Sequence, residues 1–161
     1  PWKVSVLDTG IETNTGGRIA RLRELLNEDF LLTYGDGVSD VNIEKLISTH
    51  QASGNIATLT AVKPPARFGA LNITGGQVKN FQEKPEGDGA WVNGGFLALK
   101  PEIFNFLEGD DSSLEIDVLP NIAKLGKLGV YKHSGFWQPV DTIRDLQRLE
   151  EAIGKGLLPW T

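Results

Sequence analysis

Apolar and polar positions along the chain change period several times, and each change marks an element. Lys3 to Asp8 alternates and is rich in β-branched residues, which predicts a strand. Thr15-Gly16-Gly17-Arg18 leads into apolar positions at Ile19, Leu22, Leu25 and Leu26, a helical spacing with Thr15 as N-cap. Phe30 to Tyr34 is a short apolar run of the kind that forms a strand buried on both faces. Asn42 to Ser53 predicts a helix with Ile43, Leu46 and Ile47 inward and Gly54 ending it. Ile56 to Val62 predicts a further strand. Strand, helix, strand, helix, strand is the order of a parallel α/β sheet.

Lys63-Pro64-Pro65 interrupts that order, because proline cannot extend a central strand. Phe68 to Ile73 and Val78 to Gln82 predict a hairpin about Thr74-Gly75-Gly76-Gln77. Trp91 to Leu99 predicts a strand interrupted at Asn93-Gly94-Gly95. Pro101 opens a helix that runs to Leu107. Leu114 to Leu125 predicts another helix, kinked or divided at Pro120. Leu128 to His133 reads as a strand. Ile143 to Gly154 reads as an amphipathic helix on Leu146, Leu149 and Ile153, with the Asp141/Thr142 pair at its cap.

Composition narrows the class. A chain of 161 residues, 40% hydrophobic and 23% charged, is long enough for one domain with its own core. No apolar run is long enough to span a membrane. The absence of cysteine excludes disulfides, thiolate metal sites and a cysteine nucleophile, and it fits a reducing cytoplasm. A net charge of −5 does not suit a nucleic acid backbone, so no nucleic acid partner is expected. The nineteen glycines include the pairs Gly16-Gly17, Gly75-Gly76 and Gly94-Gly95, which mark turns or a close approach to the main chain.

Candidate chemistry lies at three places. Asp36 stands between Gly35 and Gly37 after the Phe30–Tyr34 run, and Asp141 stands between a strand and the last helix. Carboxylates at strand ends of an α/β sheet sit where such sheets bind ligands, and two of them could share one Mg2+ and present it to phosphate oxygens. Singly, Gly-Asp-Gly is a common turn and Asp141 a common helix cap. In Glu83-Lys84-Pro85 the lysine suits a phosphate and the glutamate suits sugar hydroxyls, although a solvated strand end is the ordinary reading. Asn93-Gly94-Gly95 suits close packing of a sugar, or a β-bulge. His50 reads as a surface residue in a helical last turn, and His133 has no partner histidine nearby. Neither a nucleophile elbow nor a P-loop occurs.

Taken in order, Asp8-Thr9-Gly10, Thr15-Gly16-Gly17-Arg18, Thr33-Tyr34-Gly35-Asp36-Gly37-Val38, Arg67-Phe68-Gly69-Ala70-Leu71, Phe81-Gln82-Glu83-Lys84-Pro85, Asn93-Gly94-Gly95-Phe96 and Gly135-Phe136-Trp137-Gln138-Pro139-Val140-Asp141-Thr142 resemble the sugar-phosphate nucleotidyltransferases. These segments run through almost the whole chain, and they are specific as a set. The resemblance implies a single nucleotidyltransferase domain over 1–161. Its fold would be Rossmann-like, a mostly parallel sheet flanked by helices with a small antiparallel sugar-binding β region. It is closest to members that combine CTP with glucose 1-phosphate to give CDP-glucose and pyrophosphate. It implies Asp36 and Asp141 as Mg2+ ligands and, with Lys84, as the catalytic residues. Lys84 would grip the sugar phosphate. Gly69, Glu83 and Asn93 would contact the sugar, and Thr13, Arg18 and Gly35 the nucleotide. The Gly-Gly-Arg form is what points to cytidine.

The resemblance also implies a cytoplasmic homo-oligomer with no membrane partner, linked to polysaccharide biosynthesis. The family's Gly-Gly-x-Gly-Thr-Arg loop and its following lysine are not in this chain, and Pro1-Trp2 aligns with the middle of the family's length. The expectation is a truncated chain without the first strands, with an uncovered apolar sheet edge and no catalysis of its own. A non-catalytic sugar-phosphate-binding or regulatory module, and an enzyme using UTP or dTTP, stay open as alternatives.

Overall fold

The computed structural model describes residues 1–64, 70–82 and 90–160. In chain order the elements are α1 (Thr15–Ala20), β1 (Phe30–Thr33), β2 (Gly37–Ser39), α2 (Ile43–Ser53), β3 (Ala57–Val62), β4 (Ala70–Thr74), β5 (Gln77–Gln82), β6 (Val92–Leu99), α3 (Leu119–Lys124), β7 (Leu128–Lys132), β8 (Trp137–Pro139) and α4 (Ile143–Gly154). Four strands form a mostly parallel sheet in the order β1-β6-β3-β7, flanked by helices, and β2-β8 and β4-β5 form two antiparallel pairs. The α/β class expected from the pattern is therefore the class found. β1 lies at one edge of that sheet, and Leu31 is 47% exposed, so the Phe30–Thr33 run is not buried on both faces as its composition suggested. An edge strand has a neighbour on one side only, and its apolar residues stay partly wet.

Several boundaries follow from local chemistry. α2 begins beside Asn42, whose Oδ1 accepts the Lys45 N–H at 2.8 Å, and ends before Gly54 at φ +65°. The β4-β5 hairpin turns at Gly75 and Gly76, with φ of +59° and +76°, the two left-handed positions that a tight primed turn demands. Pro101 starts a 3-10 helix, Pro101–Phe106. Leu114–Val118 makes a π-helical turn that passes into α3 with Pro120 in its first turn, so the proline divides the expected helix.

The described chain separates into two compact units. The first comprises Pro1–Leu32, Ile47–Thr58 and Leu97–Gly129. Its core is mainly apolar, with Leu97, Leu99, Ile103, Leu114, Val118 and Ile122 fully buried. The strand expected over Lys3–Asp8 is absent, and Val4 and Val6 are exposed. Alternation makes a strand only where a neighbour takes the backbone N–H and C=O groups, and no described strand pairs with this segment. α1 is capped by Asn14, whose Oδ1 accepts the Thr15 N–H at 2.8 Å. Thr15 is not the cap because its hydroxyl donates to Glu115 Oε2 at 2.7 Å and accepts the Leu114 N–H at 3.0 Å. The helix stops at Ala20 and continues as turns, leaving Leu25 exposed rather than on an inward stripe.

His50, expected at the surface, is buried in this unit, with Nδ1 2.9 Å from the Thr58 hydroxyl. Burial pushes its pKa below the ordinary imidazole value, with nearby Asp29 opposing the shift and Lys100 adding to it. A depressed folded-state pKa contributes stability that is complete above the unfolded value of about 6.5 and is lost as pH falls below it. Urea midpoints should therefore decline from pH 7.5 to pH 5.5. In His50→Asn, which keeps an acceptor or donor for Thr58 but cannot titrate, that decline should be shallower. Equal slopes in the two proteins would remove His50 as the cause.

The second unit comprises Thr33–Leu46, Leu59–Phe96 and Val130–Thr161. Its described apolar core is small: Leu46, Ala61, Val62 and Leu158 are the buried hydrophobic side chains. α4 starts with a capping box in which the Thr142 hydroxyl accepts the Asp145 N–H at 3.2 Å and Asp145 Oδ2 accepts the Thr142 N–H at 3.1 Å. The face expected to be inward is not buried, and Leu146 and Ile153 are about half exposed. Amphipathic spacing specifies a face, and burial of that face requires a covering element, which the described residues do not supply. Thr142→Ala should lower thermal stability by about 1 kcal/mol through loss of the cap; an unchanged melting midpoint would show that the box contributes nothing.

Candidate functional site

The site is built in the second unit on the three-residue ribbon of β2 and β8. Gly37 faces Pro139, Val38 faces Gln138 and Ser39 faces Trp137. The ladder is extended beyond Gly37 by the Val140 N–H, which donates to the Asp36 carbonyl at 2.8 Å. Asp36 and Asp141 therefore lie at the same end of the ribbon, and both are exposed. The residue opposite Asp36 is Val140, and Asp141 lies one position further along, so the two aspartates share an end of the ribbon without being a directly opposed pair. Among the described residues no group of three or more metal-binding side chains gathers anywhere. Two hard oxygen donors open to solvent fit a cation such as Mg2+, which completes its octahedron with water and phosphate oxygens.

Gly35, expected beside the nucleotide, turns the chain into Asp36 and has open space around its Cα. Neither Gly35 nor Gly37 has a left-handed φ, so the turn does not need both glycines for conformation. Asn93 is half-buried on β6. Its Oδ1 accepts the Gly95 N–H at 3.0 Å and its Nδ2 donates to the Tyr34 hydroxyl at 3.2 Å. The side chain read as a sugar contact thus also braces a kink, because Gly95 has φ +80° within an unbroken strand. The Tyr34 N–H donates to the Gly95 carbonyl at 3.2 Å, which fixes the approach to Gly35-Asp36.

Two supports of the ribbon were not legible in the sequence. The Trp137 indole N–H donates to the Gly94 carbonyl at 2.9 Å. His133 is buried, with Nε2 at 2.9 Å from Asp40 Oδ1 and 3.2 Å from the Phe136 carbonyl. Ser39 Oγ donates to that same carbonyl at 2.7 Å. Asp40 and Ser39 approach the same ring nitrogen, so the trio is a clamp on β2 and not a nucleophile relay, which needs the two on opposite nitrogens. The only sequence signal was a histidine at a strand end, since its partners lie far away along the chain.

Gly69, Glu83 and Lys84 lie outside the described residues. Thr13 and Arg18 belong to the first unit. Thr13 is buried, and the Arg18 guanidinium donates to the Thr9 hydroxyl at 2.8 Å and the Ile11 carbonyl at 3.3 Å, holding the preceding loop. The Gly16-Gly17 pair packs on the 110–112 loop. A Cβ on Gly17 would lie 2.5 Å from the Asp110 carbonyl oxygen, and the Gly17 N–H donates to the Ser112 carbonyl at 3.1 Å.

Residues 4–156 match the family described as Nucleotidyl transferase. The chain belongs to that family. It is 49% identical, over 99% of its length, to a glucose-1-phosphate cytidylyltransferase of Salmonella typhimurium. It is 41% identical, again over 99% of its length, to a protein of Bacillus subtilis named as a probable glucose-1-phosphate cytidylyltransferase. The chain spans 63% of the length of each of these relatives. HddC from Yersinia pseudotuberculosis shares the fold, with a TM-score of 0.65 at 21% identity over 88% of this chain and 63% of that one. No described helix is long and apolar enough to cross a membrane.

Proposed function

We propose that residues 1–161 form one nucleotidyltransferase domain that carries the metal and sugar-phosphate part of a glucose-1-phosphate cytidylyltransferase. In the reaction, a phosphate oxygen of glucose 1-phosphate attacks the α-phosphorus of CTP in line. The bond from that phosphorus to the bridging oxygen breaks, and pyrophosphate leaves with the electron pair, giving CDP-glucose. The observation that carries this reading is the β2-β8 ladder with its Val140–Asp36 bond, which brings two exposed aspartates to the same end of one ribbon beside a glycine turn. The names of the relatives support the choice of CTP and glucose 1-phosphate.

Mg2+ held by Asp36 and Asp141 would neutralise charge on the phosphates. The protein's own part is positioning and electrostatics. Lys84 takes the sugar phosphate, Glu83, Asn93 and the backbone at Gly69 take sugar hydroxyls, and Thr13, Arg18 and Gly35 face the nucleotide. We place this protein in the cytoplasm, as an oligomer serving polysaccharide synthesis. The test uses the protein that contains these 161 residues, supplied with Mg2+, glucose 1-phosphate and CTP, UTP or dTTP in turn. Chromatography of the nucleotide sugars should show CDP-glucose formed at least about tenfold faster than the other products, a difference of about 1.4 kcal/mol in transition-state binding. Equal or faster use of UTP or dTTP would overturn the assignment to CTP.

A further inference from the structure

A second charged feature of the same unit takes no part in that reading. Lys63 follows the end of β3, Lys132 closes β7, and Trp91 precedes β6, three neighbouring strands of the sheet. Both ammonium groups converge on one indole: Lys63 Nζ lies 5.0 Å from the Trp91 ring centroid and Lys132 Nζ 5.4 Å. Trp91 is 40% exposed, and both lysines are exposed. Neither lysine pairs with a carboxylate among the described residues. In a chain of net charge −5, two positive charges brought to one ring with no carboxylate partner among the described residues stand out from the surface around them.

We infer that Lys63, Trp91 and Lys132 form a binding site for a phosphate dianion. An indole attracts a cation through its quadrupole but carries no net charge, so it gathers the two ammonium groups without neutralising them. Each keeps N–H donors for an incoming oxygen. A phosphate monoester or free phosphate brings two negative charges and several acceptor oxygens, and it can bridge two point charges that a chloride would contact singly. The carboxyl ends of β3 and β7 are also where a sheet of this class receives ligands. The site would draw phosphorylated substrate or released phosphate to this end of the sheet, apart from Asp36 and Asp141, which are carried by β2 and β8.

The experiment is a titration of the protein that contains these 161 residues with inorganic phosphate, and separately with glucose 1-phosphate, followed by tryptophan emission at constant ionic strength. It contains neither nucleotide nor Mg2+, so it succeeds or fails independently of the CDP-glucose assay. Comparison with Trp91→Phe isolates the part of the signal due to Trp91. A saturable Trp91 signal is expected, with its midpoint raised about tenfold in Lys63→Gln and in Lys132→Gln, lost in the double variant, and kept in the two arginine variants. Tighter binding of glucose 1-phosphate would identify a sugar phosphate as the occupant. Equal binding would identify free phosphate, and both results support the site. The same midpoint in Lys63→Gln/Lys132→Gln as in the unmodified chain, or a response that chloride reproduces, would overturn it.

Discussion

Asp36→Asn and Asp141→Asn are each expected to reduce Mg2+-dependent formation of CDP-glucose by about 10²–10³-fold, the usual loss when one preorganised charge-stabilising group is removed. The two residues stand at the same end of the β2-β8 ladder, and among the described residues no group of three or more metal-binding side chains gathers. Each variant would remove one of the two proposed anionic oxygen ligands while keeping the shape of the side chain. Mn2+ binding, followed by electron paramagnetic resonance in the absence of substrate, should weaken in parallel. Thr142→Ala is the control, because it lowers the stability of α4 next to Asp141 without changing a carboxylate. If either aspartate variant keeps the unmodified rate and metal affinity, that residue is not a ligand.

Gly95→Ala should be the most damaging single methyl group in the second unit. At φ +80° an alanine is strained by about 1–2 kcal/mol. Its Cβ would also lie 2.7 Å from Tyr34 Cδ2, an overlap that forces packing shifts of about 1–3 kcal/mol. Together these predict about 2–5 kcal/mol lost in urea unfolding, with weaker binding of sugar phosphate because Tyr34 and Asn93 must move. Gly37→Ala is the comparison: its nearest neighbours stand at 3.9 Å and its φ is ordinary, so about 1 kcal/mol or less is expected. A Gly95→Ala protein as stable as Gly37→Ala would contradict the strain argument.

Elements whose ends are decided by their own residues were legible in the sequence. Gly54, Gly75-Gly76, Pro101 and Pro120 each act through backbone conformation within a few residues, and each stands where its chemistry predicted. Features decided by distant partners were not. Thr15 has a cap's chemistry, yet Leu114 and Glu115 occupy its hydroxyl. Gly16-Gly17 looks like a ligand loop, yet the 110–112 loop packs against it. Lys3–Asp8 has a strand's alternation but pairs with no described strand, and the apolar stripe of α4 lacks a described cover. The candidate site divides in the same way. Both carboxylates could be marked from their glycine and helix-start surroundings, but the pairing of β2 with β8, the Trp137–Gly94 bond and the His133–Asp40 clamp join residues about a hundred positions apart or fewer, beyond the reach of any local pattern.

The ribbon that brings Asp36 and Asp141 to one end is only three residue pairs long, and it stands in the unit with the smaller described core. So short a ladder is open to fraying without global unfolding. A cation bound by both carboxylates would then act as a staple. It would favour the closed ribbon by RT ln(1 + [L]/Kd), about 2.7 kcal/mol when the cation is at a hundred times its Kd. Loading of such a cation and closure of the ribbon would become one linked equilibrium, so starving the protein of divalent cations would loosen the strands that carry the two aspartates.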